Sequence, residues 1–323
     1  MTPSLSRRAA LAAGAGLLAA ARPARAAGFP SGPVTYIIGY APGGLSDVIA
    51  RLIGDEITRE HHQQVLLDYR PGAGGGLAAD VLARTKPDGH TLMAATNSHF
   101  AIIPLLNSVR YEPIADLLPA ALVGDAYMAI VVNPSVPART LPELIAYAKA
   151  NPGKLNFGSA GQGTVGHLSG EYLKKRTGID IQHVPYRGSP PAVQACLANE
   201  VQVIFGPEGA DAHLAGDLRA IAILGQDRWS KLPEVPTTEE SGLPGWALRS
   251  WHTVGIHGRT PPALLEEVHD VLAGIIAQPK LQQRFEQMGL KTGRLSLAEL
   301  RQRAEEDAQL FGTLIREVGL GRG

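Results

Sequence analysis

The chemistry legible in this 323-residue chain lies in its glycines more than in its reactive side chains. Three turns carry them: Tyr40-Ala41-Pro42-Gly43-Gly44-Leu45-Ser46-Asp47, Arg70-Pro71-Gly72-Ala73-Gly74-Gly75-Gly76 and Ser159-Ala160-Gly161-Gln162-Gly163-Thr164. Each follows a strand-like run and precedes a helical pattern. In an open α/β sheet, ligands sit beyond the carboxyl ends of the strands. A helix that starts there presents unpaired N–H groups and the positive end of its dipole. Glycine has no Cβ to hold a ligand away from that backbone. The chemistry is anion binding by main-chain amides, which needs no arginine. Any one of these turns, taken singly, reads equally well as a tight turn and nothing more.

Other chemistries are weaker. Gly161-Gln162-Gly163-Thr164-Val165-Gly166 matches G-x-G-x-x-G, and 74–79 matches the form ending in alanine. A dinucleotide site also needs an acid at the end of the next strand, about 20 residues on. Those strands end at Val184-Pro185-Tyr186 and near Thr96-Asn97, without an acid, so no cofactor is expected. There is no G-x-x-x-x-G-K-[ST], H-E-x-x-H, G-x-S-x-G or C-x-x-C, and no metal is expected. His167, in the first turn of a helix, either donates to a bound anion or caps local backbone. His252 follows Trp251 on a strand placed to line a cleft. An exported hydrolase acting on a small carboxylate ester stays open. It would set Ser98 or Ser159 beside His167 or His252.

The elements that must position these groups alternate. Apolar and β-branched runs predict strands over 34–40, 65–69, 90–96, 125–133, 154–159, 181–186, 201–205, 218–224 and 251–257. Apolar residues at helical spacing predict helices over 47–61, 76–84, 141–150, 164–176, 190–198 and 263–277. Pro261 and Pro262 suit the opening of the last of these. A terminal helix carries the stripe Leu297, Leu300, Ala304, Phe311, Leu314, Ile315 and Val318. Repeated β-α-β units imply parallel sheets covered on both faces. The fold class is α/β, with two doubly wound, Rossmann-like domains.

Ser6-Arg7-Arg8, an apolar run over 9–21 and Ala24-Arg25-Ala26 have the layout of an export signal, with cleavage near Ala26. The run is shorter than the ~20 residues a membrane span needs. The paired arginines fit twin-arginine and general secretory routes equally. Removing 1–26 takes away Arg7, Arg8, Arg22 and Arg25 and no acid, leaving a net charge of −4. With 30 basic against 30 acidic residues and 5% aromatics, nothing favours a nucleic-acid partner. The lone Cys196 lies in an apolar helical stretch and reads as a buried thiol.

The order and spacing of these motifs resemble the Bug/TctC family of periplasmic receptors of tripartite tricarboxylate transport, over essentially the whole chain after the signal. The carriers are Ala41-Pro42-Gly43-Gly44 with Asp47, Arg70-Pro71-Gly72-Ala73-Gly74-Gly75, Pro87-Asp88-Gly89-His90-Thr91-Leu92 and Leu155-Asn156-Phe157-Gly158-Ser159-Ala160-Gly161. Val184-Pro185-Tyr186-Arg187-Gly188-Ser189 and Pro233-Glu234-Val235-Pro236-Thr237 complete the series. The resemblance implies the periplasmic-binding-protein type II (flytrap) architecture. It sets crossovers near 126–132 and 247–254, domain one at 27–126 plus 252–323 and domain two at 127–251. The C-terminal helices would return to domain one.

It also implies a non-enzymatic receptor that captures a small carboxylate for a membrane permease. An alternative output is a signalling partner. We expect a monomer in the periplasm. The ligand carboxylate would sit on the first two glycine turns, at Tyr40, Gly43, Gly44, Ser46, Asp47, Ala73 and Gly74. Thr96, Asn97 and Ser98 would add contacts. Domain two would contribute Ser159, Ala160, Gly163, Thr164, His167, Tyr186 and Gly206. Gly206 stands where many members carry an aspartate suited to a ligand ammonium, which argues against an amino-acid ligand. Gln162, Gly166, Ala78 and His257 are further departures from the family pattern.

Overall fold

The computed structural model describes residues 28–246 and 248–321; the expected export segment and residue 247 of the second crossover lie outside them. The first sheet is built on Val34–Ile38 (β1), an apolar strand between Val65–Tyr69 (β2) and Thr91–Thr96 (β3), both parallel to it. The helix Leu45–His61 (α1) covers one face, where Ile49, Ile53 and Ile57 are buried. Burial of each such side chain is worth about 1.5–3 kcal/mol. Gly76–Leu82 (α2) links β2 to β3. Two short helices, Asn97–Ala101 (α3) and Ile103–Leu106 (α4), lead to Leu117–Ala126 (β4).

The chain then enters the second sheet at Ala129–Val132 (β5). Next come Leu141–Ala150 (α5), Leu155–Ser159 (β6), Val165–Thr177 (α6), Ile181–Pro185 (β7) and Ser189–Leu197 (α7). Val203–Gly206 (β8), Gly209–Ala215 (α8) and Arg219–Ile223 (β9) follow. Ser250–His257 (β10) returns to the first sheet, followed by Pro262–Ile276 (α9), Pro279–Gln287 (α10), Leu290–Lys291 (β11) and Leu297–Glu317 (α11). The sheet orders are β11-β4-β10-β3-β1-β2 and β7-β6-β8-β5-β9. These are two α/β units of the flytrap kind.

Three expectations need correction. The run 125–133 is not one strand: β4 and β5 lie in different sheets, and Tyr127 and Met128 form the passage between them. The sheets are mixed, not parallel throughout, because the strands that bring the chain across run against their neighbours. β10 is antiparallel to β3 and β4, and β5 is antiparallel to β8 and β9. The terminal helix does not serve the first sheet alone. Its Leu300 and Ala304 pack with Ile37, Met93 and Trp251, whereas Phe311, Leu314 and Ile315 pack with Phe157, Leu168 and Phe205 of the second unit. No helix among the described residues is long and apolar enough to cross a membrane.

Candidate functional site

A cavity of about 80 Å³ lies between the two sheets. Four helices begin at its wall. Gly44, Leu45 and Ser46 bring the start of α1, and Thr96 and Ser98 that of α3. From the second unit, Thr164, Val165 and Gly166 bring the start of α6, and Ser189 that of α7. The first-turn N–H groups of a helix have no partner within the helix. α1 and α7 are preceded by Gly44 and Gly188, which have no side chain to cap them. Main-chain donors and hydroxyls therefore converge from both sides.

The wall holds no full positive charge: among its described residues there is no lysine or arginine. His252 lines it, but burial, then the neighbouring His99, lowers its pKa to about 4, so its ring is neutral at pH 7. Burial raises the Tyr40 hydroxyl to about 12 despite its hydrogen bond with Thr96, so it keeps its proton. The apolar part of the wall is Leu45, Ala126, Met128, Ala160, Val165, Phe205 and Pro207. One carboxyl faces in, that of Glu208, its pKa raised by desolvation against a hydrogen bond with Ser189.

The comparisons with known proteins agree with this geometry. The model of the tripartite tricarboxylate transporter family receptors matches residues 49–320. The chain belongs to that family. Protein BugT of Bordetella pertussis is 31% identical over 303 residues, 93% of each chain. Rpa4515 of R. palustris, solved with adipate, superposes with a TM-score of 0.87 at 28% identity, covering 91% of this chain and 99% of its own. MatC of Rhodopseudomonas palustris, solved with malate, gives 0.84 at 27% identity, covering 89% of this chain and 100% of its own. The chain is a solute-binding receptor of the periplasmic type.

Of the residues the sequence singled out, this receptor brings Tyr40, Gly44, Ser46, Thr96, Ser98, Ala160, Thr164 and Gly206 to the cavity. The others stand behind it. Asp47 holds the first turn. Its carboxylate accepts from the Gly43 amide (2.7 Å), the Tyr69 hydroxyl (2.6 Å) and Arg51 (3.0 Å). Burial opposes ionisation of Asp47, and these bonds outweigh it and keep its pKa low. Asn97 is fully buried and donates to Asp307 (3.1 Å) and to the Arg249 carbonyl (2.9 Å). His167 caps local backbone, its Nδ1 accepting from the Gly163 amide at 3.3 Å.

Ala73 and Gly74 do not reach the cavity wall. Gly74 and Gly161 meet each other across the two units, and a Cβ on Gly74 would collide with the Gln162 carbonyl oxygen. Tyr186 lies below this contact, its amide donating to the Ser159 carbonyl at 3.0 Å. Ser159 is buried, with Oγ 2.7 Å from His183 Nε2 and 3.1 Å from the Gly161 amide that donates to it. Among the described residues neither Ser98 nor Ser159 is hydrogen-bonded to His167 or His252. The reading of the turns missed Ser189, Glu208 and Ser250. The Gly188-Ser189-Pro190 helix start was a usable signal for the first. Nothing local marks Ser250.

Proposed function

We propose that this receptor captures a small carboxylate between its two units in the periplasm and delivers it to the membrane permease of a tripartite tricarboxylate-type transporter. The observation that carries this is the convergence of four helix starts on a small cavity whose wall has no lysine or arginine. A carboxylate there exchanges water for preorganised N–H and O–H donors. The ligand docks on the α1 and α3 side, and the second unit closes over it by hinge motion at the two crossovers. Contacts that only the closed form makes supply the drive. The adipate and malate of the two solved relatives are likewise small carboxylates. The receptor acts as a monomer, matures by cleavage near Ala26 and does no chemistry on its ligand.

The pair Ser159–His183 favours a second, hydrolytic reading, since the two side chains are 2.7 Å apart. Against it, Ser159 is off the cavity wall and its hydroxyl is engaged with the Gly161 turn. No carboxylate among the described residues is hydrogen-bonded to His183 to orient it as a base. Isothermal titration against a panel of short carboxylates tests the receptor reading. A binder of micromolar affinity, about −8 kcal/mol, is expected. Its primary amide should lose binding at least 30-fold. Equal affinity for acid and amide would overturn the reading, and ester turnover by the wild type lost in Ser159→Ala would replace it with the hydrolytic one.

A further inference from the structure

The only carboxyl in the cavity wall among the described residues is Glu208, and its surroundings give it a specific place. It stands at the N-cap position of α8 without a side-chain capping bond, two residues after the strand that ends in Gly206. Gly206 leaves open space that this side chain fills: a Cβ at position 206 would lie 2.7 Å from Glu208 Oε2. Among the described residues no salt bridge reaches Glu208. Its side-chain partner is the Ser189 hydroxyl, and its charge is felt by Tyr40 on the opposite unit. The wall that faces it supplies donors for an anion, from the start of α1 and from the hydroxyls of Ser46, Thr96 and Ser98.

We propose that Glu208 sets the specificity of this receptor: it selects a short monocarboxylate that carries a hydrogen-bond donor, a hydroxyl or an ammonium, at the end opposite its carboxylate, and it rejects a second ionised carboxylate. This rests on the carboxylate-receptor reading and names the ligand class within it. A desolvated carboxyl without a cation partner accepts from a donor readily. Beside a second carboxylate it meets a like charge, and one of the two must take up a proton or stay in water. The adipate and malate of the solved relatives each carry the second carboxylate that this wall disfavours.

The test uses the processed full-length receptor and matched ligands of one length: succinate, 4-hydroxybutyrate and 4-aminobutyrate, and the corresponding five-carbon set. Titration of the wild type is expected to rank the hydroxy or amino acid at least 10-fold above the diacid. Glu208→Gln should cut that preference to within about 3-fold, by weakening the donor ligand and admitting the diacid. Glu208→Ala should lose the preferred ligand, and Gly206→Asp added to it should restore the preference, because an aspartate at 206 reaches the same space. That rescue distinguishes a role toward the ligand from a role in folding. A wild type that binds the diacid as well as its donor counterpart overturns the proposal and leaves the receptor reading standing. So does a preference unchanged in Glu208→Gln. A protein that binds no member of either set overturns the proposal, while a binder elsewhere in the carboxylate panel keeps the receptor reading.

Discussion

His252 stands in the cavity wall as a neutral ring, and three other histidines behind the wall share its state. Burial is the main cause in each case. It lowers His99 to about 4, and with Lys174 it lowers His167 to about 4. His183, against His167 and Lys174, falls to about 3. A bound anion thus meets dipoles and hydroxyls here, and no imidazolium. The same burial links stability to pH. The unfolded chain takes up protons near pH 6.5 that the folded chain refuses until about 4. Stability is therefore complete above about 6.5 and is lost as pH falls toward 4. By pH 5 each fully buried ring costs about 2 kcal/mol. The urea midpoint should drop steeply between pH 7 and 5, and His167→Gln should flatten that drop. A midpoint constant across this interval would contradict neutral burial. The sequence marks these histidines but not their burial, which depends on residues far along the chain: His167 and His183 stack 4.1 Å apart only after β6, β7 and α6 have packed.

Glycine turns have two jobs in this fold, and only one concerns the ligand. The first turn, held by Asp47, opens α1 onto the cavity. The second and third press on each other, where Gly74 meets Gly161 and Asn107 donates to the Gln162 carbonyl at 3.2 Å. Gly74→Ala should therefore block the close approach of the two units. An alanine at φ +66 also costs about 1–2 kcal/mol of backbone strain. Gly178→Ala is the control, since Gly178 has φ +73 and open space around it. Both variants should lose similar stability in thermal unfolding, but only Gly74→Ala should lose ligand affinity, by 10-fold or more. Equal affinities would show that the glycine contact plays no part in closure. Elements with strong periodicity were legible: β2 and α5 have the predicted bounds, and α1 and α9 differ by a residue or two. The break between β4 and β5 was not, because 125–133 reads as one apolar run whichever sheet receives its halves. Half the cavity wall was equally hidden. Ala126, Met128 and Ser250 carry no turn signature and reach the wall only through the crossovers.

The terminal helix α11 packs into both units and makes their stability common property. α11 has Leu300 and Ala304 in the core of the first unit and Phe311, Leu314 and Ile315 in that of the second. Between these halves lies Asp307, fully buried. It accepts from Arg249 (2.9 Å), Trp251 Nε1 (2.7 Å) and Asn97 (3.1 Å), tying the return strand and the start of α3 to the bridging helix. Arg249 is half exposed, so the ion pair is partly screened, but the neutral donors from Trp251 and Asn97 are buried and have no substitute. Removing one partner of such a buried network costs about 3–5 kcal/mol. Asp307→Ala should lower the unfolding free energy from guanidinium titration by that amount. The loss should fall on the whole molecule, because neither core is complete without α11. Fluorescence of Trp229, in the second unit, and of Trp251, in the first, each read in a variant lacking the other tryptophans, should unfold at one midpoint that matches far-UV circular dichroism. In Asp307→Ala both should shift together. Two separated transitions in the wild type would mean that the helix only lies across the units, and that closure is free to move them independently.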